Sequence, residues 1–142
     1  MTIDQISVFV ENKAGRLAEI TKIIGDAGLD LRAMCIADTA DFGILRIIVN
    51  DPARALKVLK SADCVVSVTQ VLAVKMTDKP GSLAEVLGVL AKAEISVEYL
   101  YAFISRKAND AYVILRVEDL RRAIAVMAES GINTVGPEEI YG

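Results

Sequence analysis

Ala14-Gly15-Arg16-Leu17-Ala18-Glu19 and Pro80-Gly81-Ser82-Leu83-Ala84-Glu85 carry one pattern twice, 66 positions apart (position 14 to position 80). Self-similarity at a fixed offset marks a repeated structural unit, and the flanking residues keep the same step. Ahead of the match, Ile6, Val8 and Val10 overlay Leu72, Val74 and Met76, an alternation that predicts a half-buried strand. Behind it, Leu17, Ile20, Ile24 and Ala27 overlay Leu83, Val86, Leu90 and Ala93, spaced as on one face of an amphipathic helix.

The pattern continues outward. Second strands are predicted over 29–37 and 95–104, polar breaks over 38–41 and 105–110, and third strands over 43–49 and 111–117. The second break is two residues longer, so the offset becomes 68 (position 43 to position 111) while the apolar positions stay in step. A hairpin tip is where an insertion disturbs least backbone. Asp51 and Asp119 then read as N-caps of second helices, with Ala55, Leu56 and Leu59 matching Ala123, Ile124 and Met127. Gly28 and Gly131 read as helix C-terminal residues. Closing strands are expected over 64–70, running on into the next unit without a linker, and over 132–135, where Gly136-Pro137 cuts the second short.

Each copy is therefore strand, helix, strand, strand, helix, strand. The expected fold class is α+β: two tandem ferredoxin-like βαββαβ modules, over 1–70 and 71–142, each an antiparallel sheet with its helices on one face. A unit of about 70 residues is marginally stable alone, so two copies should stabilise one another.

Composition narrows the function. The chain is 54% hydrophobic and 25% charged, with a net charge of −3. That balance gives no electrostatic reason to approach nucleic acid or an anionic membrane. No apolar run reaches the roughly 20 residues a spanning helix needs, and no secretory pattern opens the chain, so a cytoplasmic protein is expected. Cys35 and Cys64 sit far apart in apolar runs and read as reduced thiols. Histidine is absent, which removes the commonest general base and nitrogen ligand; neither catalysis nor a cofactor nor a metal is expected.

The strand-to-helix loops, Glu11-Asn12-Lys13-Ala14-Gly15-Arg16-Leu17 and Thr77-Asp78-Lys79-Pro80-Gly81-Ser82-Leu83, resemble the signature of the ACT domain family: Asp or Asn, a basic residue, Pro-Gly, then an apolar residue opening the helix. The second loop matches closely; the first departs in having Ala14 for proline. This resemblance implies a regulatory module that binds a free amino acid at the seam between paired modules, acting on a partner enzyme or through self-association. It places ligand contacts at Asn12, Ala14, Gly15, Arg16 and Leu17, at Asp78, Pro80, Gly81, Ser82 and Leu83, and at Asp30 and Ser96 where second strands begin. Physically, a helix start offers unpaired N–H groups to a carboxylate, glycine admits the ligand to the backbone, and Asn12 or Asp78 accepts from an ammonium. The same residues also suit a tight turn and nothing more, which leaves a structural or oligomerising module as the alternative. A homodimer is expected through the sheet face turned from the helices, where alternation puts Phe9, Ile44, Arg46, Ile48, Tyr112, Ile114 and Arg116.

Overall fold

A twelve-residue strand, β4 (Val66–Thr77), runs through the middle of the chain and supplies the last strand of one repeat and the first of the next. The computed structural model describes residues 1–38, 41–103 and 107–141, so the tips of both hairpins, at 39–40 and 104–106, lie outside the described residues. Two compact units result. The first comprises Asp4–Thr69 with Tyr141 from the C-terminus, the second Met1–Ile3 with Gln70–Ile140.

In the first unit the order is β1 (Ile3–Glu11), α1 (Arg16–Asp26), β2 (Leu31–Asp38), β3 (Phe42–Val49), α2 (Pro52–Ser61) and the start of β4. Strand β1 pairs antiparallel with β3, matching Ile6 to Ile47 and Val8 to Leu45, and β3 pairs antiparallel with β2. Strand β1 also pairs with β4, and just ahead of β4 the Phe9 N–H donates to the Val65 carbonyl at 2.9 Å. Alternation decides what is buried: Ile6, Val8, Val10, Leu45, Ile47 and Val49 form one core with Ile20 and Ile24 of α1 and Ala55 and Leu59 of α2.

The second unit repeats this with the end of β4, α3 (Ser82–Lys92), β5 (Val97–Phe103), β6 (Asp110–Val117), α4 (Leu120–Glu129) and β7 (Thr134–Val135), followed by α5 (Pro137–Tyr141). Its register is that of the first unit carried forward: Leu72 faces Leu115 and Val74 faces Val113. A bulge between Leu31 and Ala33 of β2 recurs between Val97 and Tyr99 of β5. The core joins Leu72, Val74, Leu115 and Val117 to Val86, Leu90, Ala123 and Met127.

Helix ends show where residue type was needed. The carboxylates of Asp51 and Asp119 accept from the N–H groups of Arg54 and Arg122 at 3.2 and 3.1 Å, capping α2 and α4 as expected. Left-handed residues end all four main helices, but only Gly28 and Gly131 announce this; Glu94 and Asp63 take the same conformation at the corresponding positions. Leu17 was expected on the buried face of α1 and instead stands 38% exposed. Helix α5 was not expected, although Pro137 followed by Glu138 and Glu139 is a helix-start composition.

The expected open sheet face needs correction. Ile48 and Ile114 are fully buried within the chain and Tyr112 nearly so, leaving Phe9 and Ile44 exposed. At Tyr112 the cause lies within the second unit, where its hydroxyl donates to Glu139 of α5 at 2.8 Å. Burial first, then that carboxylate, pushes the phenol up to about 12. An unfolded tyrosine titrates near 10, so the neutral form is favoured in the folded chain and its stabilisation is complete below about pH 10. It should be lost as pH rises from about 10 through 12. Tyr112→Phe should flatten that loss, read as denaturant midpoints of both proteins across this range.

Candidate functional site

The two strand-to-helix loops are built by the same four backbone bonds. In the first, Asn12 N–H donates to Asp41 at 3.0 Å, Lys13 to Glu11 at 2.9 Å, Arg16 to Lys13 at 3.2 Å and Glu19 to Gly15 at 3.0 Å. In the second, Asp78 donates to Asn109 at 2.8 Å, Lys79 to Thr77 at 2.9 Å, Ser82 to Lys79 at 3.3 Å and Glu85 to Gly81 at 3.0 Å. The first bond ties each loop to the hairpin beside it, absorbing the two-residue insertion between the copies.

Gly15 and Gly81 are the N-caps, with φ of 86° and 91°, and neither α1 nor α3 has a side-chain cap. This separates them from α2 and α4. Where an aspartate fills the positive end of those helices, α1 and α3 carry no side-chain cap at theirs. Open space surrounds both glycines, so their requirement is conformational: no side chain would collide, yet an L residue would be strained. A β-branched residue there would act on the turn as well as on any ligand.

The surroundings of the loops differ. Arg16 donates to Glu19 at 3.0 Å, a bond that favours its charged form, and Asn12, Ala14 and Leu17 are exposed. In the second loop Asp78 and Pro80 are exposed and Leu83 packs against the core, whereas Ser82 is only 6% exposed. The Ser82 hydroxyl meets no hydrogen-bond partner among the described residues. It lines a cleft of about 530 Å³ with Asp78, Lys79, Leu83, Ala102 and Val113. It also borders a second hollow of about 800 Å³ that reaches Lys75, Glu85, Asn133 and Glu139.

Asp30 and Ser96 are not brought to the loop of their own unit. Each lies past the far end of an eleven-residue helix, roughly 16 Å away along its axis. Asp30 is fastened by Asn50, whose side-chain oxygen accepts from the Asp30 N–H at 2.9 Å, and its carboxylate pairs with Arg32 at 3.1 Å. Ser96 lines a separate hollow of about 680 Å³ with Glu94, Glu98, Asp119 and Arg122. Asn50 went unnoticed in the sequence because an asparagine ahead of a capping aspartate carries no distinct signal. Among the described residues no group of three His, Cys, Asp or Glu side chains is placed to hold a metal ion, and no helix is long and apolar enough to cross a membrane.

Comparison with known proteins places this geometry. The family described as the ACT domain pair matches residues 1–141. Among solved structures the chain is similar to a protein of Bacteroides thetaiotaomicron, 39% identical, covering 99% of this chain and 96% of that one with a TM-score of 0.93. It shares its fold with the ligand-free regulatory subunit of aspartate kinase from Thermus thermophilus, at 14% identity, 89% and 90% coverage and a TM-score of 0.62. The same holds for the aspartokinase alpha and beta subunits, at 17% identity, 90% and 91% coverage and a TM-score of 0.59. No curated protein matches the chain.

The turn geometry is directly testable. Gly15→Ala and Gly81→Ala should each cost about 1–2 kcal/mol, because alanine must hold a left-handed φ. Chemical denaturation should show a lower midpoint with unchanged slope, and Gly25→Ala, inside α1 at ordinary φ, should be neutral or stabilising.

Proposed function

The chain belongs to the ACT domain pair family, and on that premise we propose that it is a sensor that binds a free amino acid at its uncapped helix starts. As a member of this family it is a regulatory, non-catalytic protein. The observation that carries the reading is the repeated loop: a helix start with no side-chain cap, opened by a left-handed glycine, beside a polar residue pinned by its backbone. The amide groups suit a carboxylate and the Asn12 or Asp78 side chain suits an ammonium, two ends that a free α-amino acid supplies together.

The finer parts of the reading follow. Two ferredoxin-like modules, 1–70 and 71–142, each supply one loop. Because Asp30 and Ser96 lie beyond the far end of their own helices, a ligand held by a loop meets such a residue only if a second module contributes it. The signal passes to a partner enzyme or through self-association. The remaining exposed cluster on the first unit supports a dimer: Phe9 and Phe42 are 44% and 46% exposed, with ring centroids 4.8 Å apart. The unpaired thiols of Cys35 and Cys64 support a cytoplasmic setting.

A thermal-shift screen of the twenty amino acids tests the reading, since a ligand at a hundred times its Kd stabilises the native state by about 2.7 kcal/mol. At least one amino acid should raise Tm, and Asp78→Ala should weaken its binding about tenfold or more through loss of a charge-assisted bond. A chain stabilised by none of the twenty would instead be a structural module.

A further inference from the structure

The two loops share a backbone, but what lies beneath them differs, and the difference bears on which amino acid binds. In the second unit the 530 Å³ cleft has a polar lining, which includes Asp78, Lys79, Ser82, Lys107 and Asp110, and an apolar floor. The floor consists of two cross-strand pairs, Ala102 with Val113 and Met76 with Ala111, so three neighbouring strands contribute uncharged side chains to one surface. Of the carboxylates that line the cleft, Asp110 is paired with Lys75 at 3.3 Å.

At the matching positions the first unit carries larger side chains. Arg16, paired with Glu19, stands where the second unit has Ser82, and Ile36 stands where it has Ala102. Small residues at both places in the second unit leave space beside Ser82, a largely buried residue whose hydroxyl has no protein partner among the described residues and is reached from the cleft.

We propose that the second unit's loop selects amino acids with an uncharged aliphatic side chain, of about the size of leucine, over glycine and over charged amino acids. The inference rests on the amino-acid reading above. The backbone end of the ligand meets the α3 amide groups, Ser82 and Asp78, and its side chain lies over Ala102 and Val113. A charged side chain there would give up hydration against apolar atoms, and the charged residues that line the cleft, Asp78 and Asp110 with Lys79 and Lys107, balance and favour neither sign. An aliphatic one gains roughly fourfold in affinity for each methylene removed from water.

Calorimetric titration of the full chain with leucine, isoleucine, glycine, lysine and glutamate tests this. Leucine or isoleucine should bind at least about tenfold more tightly than glycine and more tightly than either charged amino acid. Ala102→Ile copies the first unit at an exposed strand position and should fill the cleft, bringing the leucine-to-glycine ratio towards one. Ser82→Ala should weaken leucine and glycine by a similar factor and leave their ratio intact. Tighter binding of lysine or glutamate, equal binding of leucine and glycine, or a ratio unchanged by Ala102→Ile would overturn the preference while leaving the amino-acid reading standing. Absence of binding by all twenty amino acids would remove both.

Discussion

Gly15 and Gly81 hold φ angles of 86° and 91°, a region that costs other residues free energy and glycine almost none. That single backbone setting lets a strand turn directly into a helix and puts Glu19 and Glu85 in reach of the glycine carbonyls, starting α1 and α3 without a side-chain cap. Had an aspartate stood there, as it does before α2 and α4, its carboxylate would satisfy the amide groups internally. The loops would then be closed to an anion from outside. Conformational freedom at two residues thus links the start of the fold to the chemistry of the site.

The hydrophobic period made the architecture readable in advance because one face of each strand and helix packs on the core of its unit, whatever covers the other. Val8 facing Leu45 and Val74 facing Val113 follow from alternation alone. Other features depend on what a segment touches, which no local pattern encodes. Ile48 and Ile114 look like residues of an open face by alternation, yet both are fully buried. Asp63 and Glu94 adopt left-handed conformations that their residue types do not advertise; the surrounding chain imposes them where their repeat partners use glycine. The loops were legible because glycine and proline mark turns. The isolation of Ser82 was not, since an unpaired hydroxyl is a property of its surroundings.

Electrostatically the two units have drifted apart at a common position. Arg16 spends its charge on Glu19 at the surface, whereas Ser82 sets a neutral hydroxyl on a largely buried residue. At the hairpin starts, Phe42 packs on Phe9 in the first unit, while the matching Asp110 and Lys75 form an ion pair in the second. One unit shows apolar rings to its exterior and the other a charge pair, although their backbones repeat bond for bond around the loops.

The bulge that interrupts β2 at Leu31/Ala33 and β5 at Val97/Tyr99 falls in segments whose side chains have little in common. An irregularity shared despite that difference belongs to the backbone geometry of the repeat, as a duplicated half would carry it. Duplication of that kind relaxes the demand on either copy: while one half keeps an old task, the other is free to acquire a new one. The differing side chains around an unchanged turn are what such a relaxed demand permits.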